Sequence, residues 1–263
     1  MRGEEGVLQR AFINFFTMKP VFPPAPVFDY SSEGASKNKL TSWAIAISFL
    51  VSYIGITFVG VVILWALLLF FGFGEGMAFS IADIVVQIFL IPIVLVFIYL
   101  DGNISRTKEL LRFGPPRRAL TMILAIPLVV MIIDSISVLI YSIIFITLFG
   151  EPATNTDIGT TWDSSNMAIF LAFLSICIMT PISEELFFRG YLLDSINRIH
   201  GKWPAIVISS LLFGLVHIDP FAIGLATIGG VIYGWIRIRT GSLVPVIVAH
   251  AMWNTMALMV TYL

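Results

Sequence analysis

Long apolar segments recur along the whole chain, separated by short polar stretches. Seven apolar runs can be followed, at 43–73, 77–100, 119–149, 167–190, 203–218, 221–238 and 243–263. The first three exceed the roughly 20 residues that a helix needs to cross a hydrocarbon core of about 30 Å. The fifth is short for a full crossing. The pattern predicts an all-α, polytopic integral membrane bundle.

The composition agrees with lipid surroundings. Of 263 residues, 58% are hydrophobic and 12% are charged, whereas soluble domains have about a quarter of their residues charged. The net charge of −1 gives no basis for a nucleic-acid partner. Cys177 is the only cysteine, so no intramolecular disulfide can form, and its apolar neighbours predict a packed thiol. We expect a multi-pass protein, in contact with membrane lipids, of the cell membrane.

The basic residues alternate between the connections. All fifteen lie before run one or after runs two, four and six, with Arg189 counted in the connection after run four. By the positive-inside rule, this alternation predicts seven crossings with the N-terminus in the cytoplasm and the C-terminus outside. Residues 1–40 are then a cytoplasmic tail, either disordered or containing an interfacial helix near residues 7–16. Residues 41–263 form the membrane-embedded domain.

Charged residues inside apolar runs cluster in the second half of the chain. Such a charge costs of order 3 kcal/mol at bilayer depth. Run four contains Glu184 and Glu185, followed by Arg189. The four-residue spacing puts Glu185 and Arg189 on one helix face, while Glu184 points about 100° away. One carboxylate can therefore be ion-paired while the other faces a cavity, although an ion-paired helix end without chemistry explains this run equally well.

Two of the three histidines fall within apolar runs. Run five contains Phe213-x-x-x-His217, and run seven contains His250-x-x-x-Asn254. If runs four and five form an antiparallel hairpin that turns at Gly201, then Glu184 and His217 lie at similar depth, about 25 Å from the turn. His250 lies only about 10 Å into its run. We expect a cavity that opens toward the cytoplasm.

Two aspartates also lie within runs. Asp134 is midway along run three and is expected either to partner a buried arginine or histidine or to line the cavity. Asp83, near the outer end of run two, is expected at the membrane interface.

Taken in chain order, the three motifs resemble the signature of the CPBP family. This family comprises CAAX prenyl proteases and bacteriocin-processing, Abi-type intramembrane proteins. The resemblance covers about residues 165–263, the catalytic core of the family. Family members are often drawn with eight helices, so the expected count is about seven to eight transmembrane helices. The resemblance implies that Glu184, with His217, activates a water molecule, and that Glu185, paired with Arg189, is a positioning carboxylate.

The resemblance also implies an oxyanion site and raises the question of a metal. His250 and Asn254 would donate hydrogen bonds to the oxyanion, a contribution of about 3 kcal/mol per donor in soluble proteases. Glu184, His217 and His250 also make up a zinc-hydrolase ligand set. Because an HExxH helix is absent from the sequence and the family resemblance favours a glutamate mechanism, no cofactor is expected. Zinc is the alternative.

The predicted function is an intramembrane glutamic endopeptidase that acts near the cytoplasmic side. Its substrate would be a peptide or the C-terminus of a lipidated protein. Two other classes fit the same residues: a non-catalytic bacteriocin-immunity or scaffold protein, and a proton-coupled transporter, since intramembrane carboxylates and histidines also relay protons. The presence of every motif position weighs against the first class. The lack of an evident internal repeat weighs against the second.

Overall fold

The computed structural model describes residues 39–102, 111, 119–152 and 165–262, and this part of the chain is helical without strands. Its seven helices are α1 (Lys39–Phe70), α2 (Glu75–Gly102), α3 (Thr121–Phe149), α4 (Asn166–His200), α5 (Lys202–Leu215), α6 (Pro220–Thr240) and α7 (Val244–Tyr262). The predicted helical membrane bundle is confirmed. The predicted tail helix lies outside the described residues, and the orientation of the bundle stays a prediction.

The helices differ in their ability to cross a bilayer. α1, α2, α3, α4 and α6 are long and apolar enough to do so. α5 has 14 residues and extends about 21 Å, less than the hydrocarbon thickness of about 30 Å. Five of the seven described helices thus meet the length and composition of a spanning helix, and the expectation of seven crossings stays a prediction.

Apolar side chains cover the outer surface of the bundle. Ile63 on α1 and Leu139 on α3 are both 61% exposed. Many other large apolar side chains of these two helices are exposed as well. Such surfaces are suited to lipid. Inside, an aromatic cluster joins α1, α2 and α4. Tyr53 stacks on Phe187 with ring centroids 4.2 Å apart, and Phe49 stacks on Phe97 at 3.9 Å.

Two π-helical stretches in α4 flank the glutamate pair. Pro181 has no N–H to donate to residue 177, and its ring crowds the preceding turn. The wider stretch Phe173–Met179 comes directly before this site, as expected where a regular α-helix cannot continue. The second stretch, Leu186–Leu192, has all seven residues buried. α4 then ends at His200, and Gly201, with φ of 84°, starts the turn into α5.

Asp83 is buried inside the bundle, and its expected position at the membrane interface stays a prediction. Its carboxylate accepts hydrogen bonds from the hydroxyls of Ser175 and Thr180 and from the side-chain amide of Gln87. These bonds connect α2 to α4 inside the bundle. Buried Cys177 lies in the same part of α4.

α5 and α6 form a hairpin whose helices approach closely at small residues. A methyl group added at Gly230 would lie 2.9 Å from the Cβ of Ser210. A methyl group at Gly214 would lie 2.6 Å from the carbonyl oxygen of Ile223 and against the Thr227 side chain. Neither helix can accept a side chain at these positions without moving apart.

Gly214→Ala is therefore expected to lower the melting temperature of the purified protein in detergent, with a loss of about 1–3 kcal/mol typical of overpacking. Gly55→Ala is the matched control, because no atom lies within 4 Å of the added methyl group there. Alanine is also a better helix former than glycine, so this control is expected to keep or raise the melting temperature. If both variants behave alike, the hairpin is not tightly packed at Gly214.

Candidate active site

Glu185 and Arg189 form a fully buried ion pair on α4. Arg189 Nη1 lies 3.0 Å from Glu185 Oε1, and both side chains are 0% exposed. The pairing agrees with their four-residue spacing. It also corrects the count of connection residues, because Arg189 lies inside the bundle and not in the turn after run four. Arg189 lies in the π-helical stretch that begins at Leu186, where every residue is buried.

His250 on α7 lies between the two glutamates. Its Nδ1 is 2.9 Å from Glu185 Oε1, and its Nε2 is 3.7 Å from Glu184 Oε2. An ionised carboxylate only accepts hydrogen bonds, so His250 Nδ1 carries the proton that Glu185 accepts. The Glu184 side chain is 18% exposed. The two glutamates thus differ as the sequence predicted, with one enclosed by its partners and the other more accessible.

His217 lies just after the end of α5, and not within a helix as the apolar run suggested. Its amide bonds to the Gly214 carbonyl, and its ring Nδ1 lies 2.9 Å from the Phe213 carbonyl oxygen. Because a carbonyl only accepts, Nδ1–H donates and Nε2 is left for other partners. Ile218 follows with φ of 63°, a strained conformation for a β-branched residue. The early end of α5 at Leu215 thus places His217 in a turn.

Phe213 holds the two histidines and the arginine in place. Its ring lies 5.0 Å from the His217 ring and 6.0 Å from the His250 ring, edge to face in both cases. The Arg189 guanidinium lies 4.2 Å from the Phe213 centroid, within the range of a cation–π contact. The side chain four residues before His217 is therefore a structural part of the site.

A cavity of about 220 Å³ lies beside the two histidines and Phe213. His217, His250, Asn254, Asp134 and Tyr233 are among its lining residues. Asn254 Nδ2 donates to the Ile176 carbonyl at 2.8 Å, which fixes the side-chain amide. Glu184 is not among the lining residues, but its Oε2 lies 3.7 Å from Nε2 of His250, which is one of them.

The sequence allowed a zinc site formed by Glu184, His217 and His250. Within the described ranges, no three histidine, cysteine or carboxylate side chains are arranged to hold one metal ion. One nitrogen of each histidine already binds a protein acceptor, a carboxylate for His250 and a backbone carbonyl for His217. Each ring can offer only Nε2 to a further partner.

Tyr233 is the site residue that sequence reasoning missed. It is buried on α6, its ring lies 5.6 Å from that of His250, and its hydroxyl donates to Asp134 Oδ2 at 3.1 Å. Asp134 thus lines the cavity, one of its two expected roles, with a tyrosine as its partner. A phenol in the middle of an apolar helix, beside three glycines, is the sequence signal that could have identified Tyr233.

Comparison with known proteins gives a match to a family model. Residues 166–256 match the model described as type II CAAX prenyl endopeptidase Rce1-like. This segment of the chain is similar to the CPBP family of CAAX proteases. The resemblance inferred from the motifs is thereby confirmed, and all six predicted site residues lie within the matched segment. No curated protein and no solved structure matches the chain.

The family match and the five helices that are long and apolar enough to cross a membrane together support a CAAX-type intramembrane protease. The family as described acts on prenylated proteins as an endopeptidase. Asp134 lies on α3, outside the matched segment.

Proposed function

We propose that this chain is an intramembrane glutamic endopeptidase that hydrolyses a peptide bond near the C-terminus of a lipidated protein, at the cytoplasmic side of the cell membrane. The reaction proceeds without a metal ion. Glu184 is the general base, and no cofactor takes part.

The arrangement of the two glutamates around His250 carries this proposal. Glu185 is fully buried and contacts both Arg189 and His250 Nδ1, so its role is to position these two side chains. Glu184 is less tightly held, because its carboxylate lies 3.7 Å from His250 Nε2 and its side chain is 18% exposed. A carboxylate next to a cavity lined by two histidines and an amide is suited to proton transfer at a bound peptide.

The chemical steps follow from these positions. Glu184 removes a proton from a water molecule that also hydrogen-bonds to His217 Nε2, and the water oxygen attacks the peptide carbonyl carbon. The tetrahedral intermediate then collapses, the carbon–nitrogen bond breaks, and Glu184 returns the proton to the leaving amine. One carboxylate thus acts first as base and then as acid.

Asn254 and His250 stabilise the oxyanion. Asn254 Nδ2 uses one hydrogen for the Ile176 carbonyl, and its second hydrogen is available to the developing negative charge. His250 Nε2 can donate when the ring carries both protons. Because the site is enclosed by apolar helices, each such bond is stronger than it would be in water.

Cleavage of a farnesylated CAAX peptide by the detergent-purified protein tests the proposal. The wild type is expected to release the C-terminal tripeptide. His217→Ala is expected to lower kcat about 10²-fold or more, the usual contribution of a group that assists proton transfer. A wild type that cleaves neither prenylated nor unprenylated peptides would overturn the proposed function.

His200→Ala is the matched control for the histidine variant. His200 is exposed at the end of α4, where it accepts a hydrogen bond from Trp43 Nε1. This variant is expected to retain wild-type turnover. Equal losses in the two variants would mean that histidine removal acts through folding and not through the cavity.

A further inference from the structure

Asp134 is a buried carboxylate that the proposed chemistry does not use. It lies midway along α3 and is 3% exposed. Oδ2 accepts the Tyr233 hydroxyl, while Oδ1 has no hydrogen-bond partner within the described part of the chain. A buried carboxylate oxygen that lacks a hydrogen-bond partner destabilises the fold more than an unpartnered neutral oxygen does. A ligand that donates a hydrogen bond to Oδ1 would remove this cost.

Asp134 forms part of the cavity wall. Asp134 and Gly229 line the same cavity as His217, His250 and Asn254. A methyl group added at Gly229 would lie 3.5 Å from each of the two Asp134 oxygens. The missing side chain at position 229 therefore leaves room for a ligand atom beside this carboxylate.

Tyr233 connects the aspartate to the catalytic groups. Its hydroxyl holds Asp134, and its ring lies 5.6 Å from the His250 ring and 5.7 Å from the Arg189 guanidinium carbon. The carboxylate is also near enough to interact electrostatically with His250. A peptide whose carbonyl carbon lies beside Glu184 and His250 would therefore extend past Asp134.

We propose that Asp134 is a substrate-binding residue whose Oδ1 accepts a hydrogen bond from a backbone N–H of the bound peptide, next to the scissile bond. This inference rests on the proposed function and adds α3 to the helices that form the substrate site. A peptide that enters an apolar bundle must leave water with its N–H groups satisfied. A carboxylate acceptor at the cavity wall meets that need and fixes the register of the peptide relative to Glu184.

Asp134→Asn tests the hydrogen bond with little change of shape. The asparagine carbonyl can keep accepting from Tyr233, which leaves an NH₂ donor in the position of the unpartnered acceptor. The expected result is a 10- to 100-fold loss in kcat/KM, the size of a hydrogen bond to a charged group, carried mainly by KM. In a Glu184→Gln background, the affinity for the farnesylated peptide is expected to fall by a similar factor.

Asp83→Asn is the matched control. It changes a second buried carboxylate, hydrogen-bonded to Ser175, which is not among the residues lining the cavity. It is expected to lower the melting temperature but to leave KM unchanged. Gly229→Ala keeps Asp134 intact and shields both of its oxygens with a methyl group, so it is expected to raise KM as Asp134→Asn does.

Substrates that lack one N–H separate a binding role from a structural one. In a series of peptides, each non-scissile amide near the cleavage site is replaced in turn by an ester. One ester is expected to be a poor substrate for the wild type and to be cleaved equally by wild type and Asp134→Asn. Unchanged KM in Asp134→Asn, or a loss that is the same for every ester, would overturn the inference. Absence of cleavage by the wild type would instead overturn the proposed function.

Discussion

Replacement of Glu184 by glutamine is expected to abolish peptide cleavage while the protein remains folded. Glutamine has nearly the same volume but cannot take a proton from water, so kcat should fall about 10³-fold or more. The Glu184 side chain is partly exposed and lies 3.7 Å from its nearest histidine nitrogen, too far for a direct hydrogen bond. Its loss should therefore leave the melting temperature nearly unchanged. Single-turnover cleavage of the farnesylated peptide measures the effect.

Two controls test whether the loss of cleavage is specific to Glu184 and independent of zinc. Glu75→Gln, at the exposed start of α2, should cleave at the wild-type rate. A strong zinc chelator should also leave wild-type turnover intact. Full activity in Glu184→Gln would remove Glu184 as the base. Activity that is lost on chelation and restored by zinc would instead make Glu184 a metal ligand, with the two histidines as the other ligands.

Helix number could be predicted from the sequence because each helix carries its own apolar run. The lengths of the helices relative to the membrane were harder to predict. Run five continues to Ile218, but α5 ends at Leu215, because the chain turns through His217 and the strained Ile218 before Pro220 starts α6. Hydropathy records the composition of such a turn and not its conformation. Hydropathy likewise does not reveal the π-helical stretches of α4, although Pro181 indicates an irregularity there.

The part of the site that depends on local spacing was predictable, and the part that depends on packing was not. Glu185 and Arg189 are four residues apart, so helix geometry alone predicts their contact. The bond from His250 Nδ1 to Glu185 joins residues 65 positions apart. This bond fixes Glu185 in place and leaves Glu184 as the glutamate that can react. The family motif contains both glutamates but does not show this contact.

The sequence shows that Asp134 is unusual but does not show which residue it contacts. An aspartate midway along an apolar run is costly, so the sequence marks it as significant. Its partner Tyr233 is 99 positions away on a different helix, and only the packing of α3 against α6 brings the two together. Since α3 lies outside the segment that matches the family, neither the motifs nor the match points to this contact.

Arg189→Leu is expected to cause the largest loss of stability among single substitutions at the site. It leaves the Glu185 carboxylate, which is 0% exposed, without its cationic partner. Breaking a buried pair in this way costs about 3–5 kcal/mol, since the remaining carboxylate is not hydrated and keeps only its hydrogen bond from His250. The expected result is a strongly lowered melting temperature in detergent, followed by tryptophan fluorescence, and little folded protein at 37 °C.

Arg237→Leu provides the comparison, because its partner Asp194 is 17% exposed and water can reach the carboxylate once the arginine is gone. Its loss of stability should be clearly smaller. Equal losses would mean that the size of the arginine side chain, and not its charge, is what stabilises the bundle at Arg189.

The double variant Glu185→Gln/Arg189→Leu separates folding from catalysis. Removing both charges takes away the unpaired ion, so most of the stability lost in Arg189→Leu should return. Activity should not return, because His250 Nδ1 then faces a neutral amide that can rotate and no longer holds the ring toward Glu184. A stable but inactive double variant would show that the ion pair matters to the reaction through the orientation of His250. A stable and active one would show that the pair serves the fold alone.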